Sequence, residues 1–384
     1  MKWNILYILF FCTVTSVSVY LYIFIPKKSI DVPNKLENIP KRAQHSLSKA
    51  IEREIFQTPE TLGAEWTEDT DSKQRNAVAY FKASNKFQVP AKITRMKHKL
   101  NRHELLCQLK TRVPLTMIKA GDGPFTGEEW EKSLPKENLE AKLGPFKRCA
   151  VVMSAAALRN SKLGVEIDDH DAVIRFNGAP TKGFSVDVGN KTTLRLFNSQ
   201  LMVSQEEKIL TNPLYNTGVL IVWDPAPYSK DLHKWYQMPD FNFFQLYKDF
   251  RSQHPDQPFY ILSPEMQWHL WDIIQENTVE DIQPNPPSSG MLGIALMMNL
   301  CDKISVYEFL PSHRKTDVCH YFQNINNQAC TVGYYHPMTF EKKLVKRIIQ
   351  SKNYELYTYG RVTLSGFSQY FCPPANSSSD KNGS

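Results

Sequence analysis

Four short polar clusters and one histidine carry the residue types that chemistry needs. Met153-Ser154, Asn177-Gly178, Asn198-Ser199-Gln200 and Trp223-Asp224-Pro225 each follow an apolar run. Amide side chains both donate and accept hydrogen bonds, so such groups suit a polar ligand. Singly, each cluster is ordinary turn chemistry, because Asn, Ser, Gly and Asp-Pro all serve turns. Four at corresponding positions point further. In NPPSSGMLGIALMMNL the prolines stop the preceding chain and Ser288 or Ser289 can cap a helix. Gly290 lets a ligand approach backbone N–H groups at the positive end of the helix dipole, where a phosphate or carboxylate fits. From this segment alone a plain N-cap is the simpler reading. His336 follows Thr331, Gly333, Tyr334 and Tyr335, and Lys342 lies six residues on. An imidazole held there suits general base work near neutral pH, although a lone histidine more often packs or faces solvent. Asp169-x-Asp171, within Asp168-Asp169-His170-Asp171, offers oxygens to a hard divalent cation. With Ile167 and the apolar AVIRF run on either side, an internal salt bridge or turn network is an equal reading.

These groups need a scaffold. The runs CAVVMSA (149–155), TTLRLFN (192–198), VLIVW (219–223), PFYIL (258–262) and ISVYEFL (304–310) have strand length. Helical patterns lie at 265–275, 289–300 and 338–350. Alternation of this kind predicts an α/β fold with a mostly parallel sheet flanked by helices. In such sheets ligands bind beyond the carboxyl ends of the strands, where the polar clusters fall.

Ahead of this body, Trp3 to Ile25 is a run of 23 residues without a charge. At 1.5 Å per residue it spans the ~30 Å hydrocarbon core, and it is longer than a cleaved signal's ~7–15 apolar residues. A transmembrane anchor is expected at 3–25, after a cytosolic tail at 1–2. Residues 26–96 read as a polar stem, in which only QHSLSKAIEREIF hints at a short amphipathic helix. The body is expected at 97–374 and a disordered tail at 375–384. Of seven cysteines, Cys12 falls in the span, leaving Cys107, Cys149, Cys301, Cys319, Cys330 and Cys372, with no zinc-site spacing among them. An even number of scattered cysteines in an anchored chain implies disulfides in an oxidising lumen. N-x-S/T tripeptides at Asn190, Asn376 and Asn382 agree. The net charge of +7 suits an anionic ligand, but no dense basic block supports nucleic-acid binding.

Two long stretches carry a family resemblance. CAVVMSAAALRNSKLGVEIDDHDAVIRFNGAPTKGFSVDVGNKTTLRLFNSQ resembles the large sialyl motif of animal sialyltransferases, and QPNPPSSGMLGIALMMNLCDKISVYEF resembles the small one. YYHP followed by Lys342 is similar to their third and very small motifs. LPKENLEAKLGPFKRCAVV, LYNTGVLIVWDP, KWYQMPDFNFF and YEFLPSHRKTDVC narrow the resemblance to the beta-galactoside alpha-2,6-sialyltransferases, over residues 97 to 374.

The resemblance implies a variant GT-A (Rossmann-like) glycosyltransferase fold. It also implies inverting transfer of sialic acid from CMP-sialic acid to the 6-hydroxyl of a terminal β-galactose, without metal or other cofactor. Carried over residue by residue, His336 is the base, and the donor site comprises Ser154, Asn177, Asn198, Ser288, Ser289, Gly290, His320, Thr331, Tyr335 and Lys342. Gln200 and Asp240 take the acceptor, and Tyr334 and Trp223 could add apolar sugar faces. His320 departs from the tyrosine of the better-known family member. The implied disulfides are Cys107–Cys372, Cys149–Cys301 and Cys319–Cys330. Expected partners are the CMP-sialic acid donor, galactose-terminated N-glycans or oligosaccharides, and a membrane, with a homodimer left open. The expected location is the Golgi membrane, single-pass type II, with the catalytic domain luminal. Two alternatives remain on sequence: a sialyltransferase of alpha-2,3 or alpha-2,8 linkage, and a catalytically silent glycan-binding Golgi membrane protein.

Overall fold

The structure, a computed structural model, describes residues 68–90, 93–314, 316–326 and 333–373. The expected membrane span, the stretch QHSLSKAIEREIF, Cys12, Cys330, Thr331, Asn376 and Asn382 lie outside these residues. Among the described residues no helix is long and apolar enough to cross a membrane.

Seven strands form one sheet: β1 (Phe146–Val152), β2 (Ala172–Phe176), β3 (Leu194–Asn198), β4 (Val219–Trp223), β5 (Phe259–Ile261), β6 (Cys301–Tyr307) and β7 (Arg361–Ser365). Their spatial order is β5-β4-β3-β2-β1-β6-β7. Every neighbouring pair is parallel except β6 and β7. β2 and β4 are buried at every position, as strands covered on both faces must be. Period-two alternation sends Val219, Ile221 and Trp223 into one apolar cluster and Leu220 and Val222 into another on the opposite face. The chain starts centrally at β1, steps outward to β5, and returns to lay β6 on the other side of β1. Such a reversal is where α/β sheets generally offer ligands a crevice, here beyond the carboxyl ends of β1 and β6.

The helices of the fold include α1 (Glu68–Ser84), α2 (Arg102–Arg112), α3 (Ser199–Met202), α4 (Leu232–Gln237), α5 (Phe244–Gln253), α6 (Pro264–Glu276), α7 (Ser289–Leu300) and α8 (Met338–Ile348). α7 buries every residue but Ser289, Gly290 and Asn299, so it reads as apolar all round. It lies close on β2: a Cβ added to Gly293 would sit 2.4 Å from the Phe176 ring. Gly293→Ala is therefore expected to lower the thermal unfolding midpoint. Overpacking against a buried ring costs ~1–3 kcal/mol and outweighs the ~1 kcal/mol gained in helix propensity. An unchanged or higher midpoint would contradict this close approach.

Residues 68–90, within the expected stem, carry α1 and reach the body. Gln74 accepts a hydrogen bond from Thr339 at 3.0 Å, Phe81 meets the Tyr335 ring edge-on at 5.5 Å, and Phe87 and Val89 are buried in the main cluster. Two disulfides brace the fold. Cys107–Cys372 ties α2 to the C-terminal segment, and Cys149–Cys301 ties β1 to the start of β6, directly after α7. Cys319 is also disulfide-bonded.

Candidate active site

The site is built on strand ends. Asn177 follows β2 with φ of 47°, a left-handed conformation that asparagine adopts more readily than most residues. Arg195, buried in β3, fixes this turn by donating to the carbonyls of Asn177 at 2.7 Å and Ala179 at 3.1 Å. Asn177 Oδ1 accepts the N–H of Asn198 at 3.3 Å. Asn198 caps α3, its Oδ1 accepting from Leu201 N at 2.8 Å. Both amide oxygens are thus taken by main-chain donors, and both Nδ2 groups remain available to a ligand. At the end of β1 the Ser154 carbonyl accepts from Tyr321 N at 3.0 Å, and Ala155 pairs with His320. The His320 ring stacks on Phe322 at 5.2 Å, with Nδ1 2.6 Å from Gln323 Oε1.

Across the crevice stands the start of α7. Ser288 is its N-cap, Oγ accepting from Met291 N at 3.2 Å. Ser289 Oγ accepts the indole N–H of Trp223 at 2.9 Å. The N–H groups of Ser289 and Gly290 have no intrahelical acceptor and carry the positive end of the dipole. Gly290 packs against the end of β1: an added Cβ would sit 2.9 Å from Met153 Sδ. Trp223 is 2% exposed, so it offers no face to a sugar as the sequence reading allowed; its place is behind Ser289.

His336 is clamped to the same segment. Its Nδ1 lies 2.8 Å from the Pro286 carbonyl, which can only accept, so Nδ1 carries the proton and Nε2 the lone pair. Burial pulls its pKa down to about 4, and the carbonyl opposes this only partly. The ring is flanked by Tyr335 at 4.8 Å and Trp223 at 6.2 Å. Burial raises the Tyr335 phenol, and the carboxylates of Asp240 and Asp224 add to this, so it remains a neutral phenol. Tyr334 is half-buried, and its hydroxyl has no hydrogen-bond partner among the described residues. Glu341, fully buried in α8, accepts from Ser288 N at 2.7 Å and Ser288 Oγ at 2.6 Å. Burial pushes its carboxyl up to about 7. Lys342 is half-buried beside it, with its ammonium pKa lowered by burial.

Directly after β3, Gln200 is exposed on α3. The Asp240 side chain is 9% exposed and forms an ion pair with Lys86, which follows α1. Asp240 N donates to Asp224 Oδ2 at 2.9 Å.

The Asp169-x-Asp171 carboxylates lie elsewhere. Asp171, just before β2, accepts from Lys147 N at 3.0 Å and Arg148 N at 2.8 Å, while Asp169 pairs with Arg148 at 3.0 Å. They form the internal network that was one of the two readings of this cluster, at the end of β2 opposite Asn177.

Sequence reasoning left Glu341, Arg195 and Lys86 without roles, and named Asp224 only within a polar cluster that is singly turn chemistry. Glu341 gave no separate signal, because an acid in a first helical turn ordinarily complements the dipole at the surface.

The family model for glycosyltransferase family 29 (sialyltransferase) matches residues 70–353. The chain is 52% identical over 319 residues to beta-galactoside alpha-2,6-sialyltransferase 1 of Homo sapiens, covering 82% of this chain and 78% of that one. The chain belongs to glycosyltransferase family 29. The Mus musculus protein of the same name is 55% identical over 75% of this chain and 71% of its own. Beta-galactoside alpha-2,6-sialyltransferase 2 of Takifugu rubripes is 45% identical over 89% of this chain and 66% of its own. The matched segment of this family 29 chain takes in both α7 and His336, and begins within α1.

Proposed function

We propose that this family 29 enzyme transfers sialic acid from CMP-sialic acid to the 6-hydroxyl of a terminal β-galactose, with inversion and with His336 as general base. The observation that carries the mechanism is the hydrogen bond from His336 Nδ1 to Pro286 O, which leaves Nε2 unprotonated beside the start of α7. The galactose 6-oxygen attacks the anomeric carbon as its bond to the CMP phosphate breaks. The electron pair leaves on the phosphate oxygen, and the hydroxyl proton passes to Nε2. A single displacement inverts the centre and needs no carboxylate nucleophile. Donor anions suit the N–H groups of Ser289 and Gly290. The Asn177 and Asn198 amides suit the nucleotide, with Ser154, His320, Thr331, Tyr335 and Lys342 completing the donor side. Gln200 and Asp240 suit the galactose hydroxyls.

The reading extends to a variant GT-A fold, an anchor at 3–25, a stem, and a luminal catalytic body on a single-pass type II Golgi protein. The same chemistry needs no metal, because the CMP leaving group carries one phosphate that helix N–H groups and a cationic or imidazole side chain can serve. Incubating the purified full-length chain with CMP-sialic acid and N-acetyllactosamine, with linkage analysis, tests the proposal. The expected product is the alpha-2,6 isomer, formed equally well in EDTA. An alpha-2,3 or alpha-2,8 product, no transfer, or rescue by Mn²⁺ after EDTA would overturn it.

A further inference from the structure

Asp224 directly follows β4, buried at 1% exposure, and reaches the acceptor residue Asp240 only through that residue's main-chain N–H. Four donors converge on its carboxylate. Oδ1 accepts from Ser199 Oγ and, at 3.1 Å, from Phe241 N. Oδ2 accepts from Trp235 Nε1 at 2.8 Å and Asp240 N at 2.9 Å. Its main-chain carbonyl accepts from Gln267 Nε2 at 3.0 Å, which fixes the residue from α6 as well. The donors come from separate elements: the first residue of α3, the body of α4, and the segment after α4. Two of them adjoin the acceptor side, since Ser199 precedes Gln200 and Asp240 is itself a donor through its N–H.

We infer that Asp224 is a positioning residue that sets the spacing between Gln200 and Asp240, and so selects the galactose hydroxyl pattern the enzyme accepts. The inference rests on the acceptor reading of those two residues. A carboxylate is the side chain that suits four converging donors, because it accepts at both oxygens and donates at neither. An asparagine would turn an NH₂ group toward two of the same donors and release one arm of the clamp. Burial pushes the Asp224 carboxyl up to about 6, against the pull of its hydrogen bonds, so the group that organises the acceptor face is held there at an electrostatic cost.

The test is steady-state kinetics of the full-length Asp224→Asn protein, with N-acetyllactosamine and CMP-sialic acid varied separately. The expected result is an acceptor KM raised about tenfold, the scale of lost charge-assisted hydrogen bonds, with the donor KM within about twofold of wild type. A folded protein with an unchanged acceptor KM, or with both KM values raised alike, would overturn the inference. Should the variant fail to fold, Ser199→Ala removes a single donor and carries the same selective expectation, at about threefold. Asp240→Asn, run alongside, separates the two levels of the argument. If it raises the acceptor KM while Asp224→Asn does not, only the inference falls. If Asp240→Asn leaves the acceptor KM unchanged, the acceptor reading falls and the inference with it.

Discussion

Replacing His336 by alanine is expected to lower kcat by about 10²-fold or more, the usual scale for a lost general base, with little change in donor KM. The Pro286 carbonyl fixes the tautomer, so the basic nitrogen is Nε2. Burial then keeps that nitrogen free of a proton, with the pKa at about 4. Because the base must be neutral to act, the free enzyme's kcat/KM should stay level through pH 6.5 and fall only as pH approaches about 4. An unburied imidazole would lose activity from about pH 6.5 downward. The linked stability has a definite sign. The folded pKa lies below the unfolded value, so the unfolded chain binds the proton first. Stability is full above pH 6.5 and is lost as pH falls through about 4. Near-normal turnover in folded His336→Ala protein would refute the assignment, and His320, beside Ala155 at the end of β1, would be the next histidine to test.

Glu341→Ala is expected to cost about 2–4 kcal/mol of stability and to weaken donor binding at the same time. It strips the acceptor from two buried donors, Ser288 N and Ser288 Oγ, and each buried donor left unmade costs about 1–3 kcal/mol. The same loss frees the N-cap that sets the direction of the Ser289 and Gly290 N–H groups, so the kinetic signature is a raised donor KM. Glu341→Gln retains an acceptor and should lie close to wild type in the midpoint. Its pH behaviour distinguishes it further. Glu341 in the fold titrates near pH 7, above its unfolded value, so its contribution is fully present below about pH 4.5 and is lost as pH rises through about 7. Thermal unfolding of wild type and Glu341→Gln at pH 5 and pH 8 should show this loss in wild type alone. Parallel curves for the two proteins would contradict the buried carboxyl.

The scaffold was legible where burial is uniform. VLIVW became β4 at the residues expected, and PPSSGMLGIALMMNL became the capped helix α7, because continuous apolar runs and a proline-serine start have few other structural solutions. β7 was missed, since RVTLS opens with a charge and runs antiparallel on the sheet edge. α1 was also missed: EDTDSKQRNAVAYFKAS has too few apolar residues for a periodic signal, and contacts such as Thr339 to Gln74 are what place it on the body. Arg175 and Arg195, paired side by side on β2 and β3, are buried charges that sequence patterning would put on the surface. In the site, the residue types at the strand ends were readable and their couplings were not. Asp224 looked like a turn residue, Trp223 looked available to a sugar, and Glu341 carried no reading of its own. Each owes its role to partners distant in sequence: Ser199, Ser289 and Ser288 respectively.

In the proposed mechanism the donor lies between the ends of β1 to β3 and the start of α7, with its reacting carbon facing His336. A crystal structure of the protein bound to a non-transferable CMP-sialic acid analogue tests this most directly. The phosphate or carboxylate is expected within hydrogen-bond distance of the Ser289 or Gly290 N–H, and the nucleotide against the Asn177 and Asn198 amides. His336 Nε2 is expected to face the side of the anomeric carbon opposite the phosphate. A donor bound away from the start of α7, or His336 on the same side as the leaving phosphate, would contradict it.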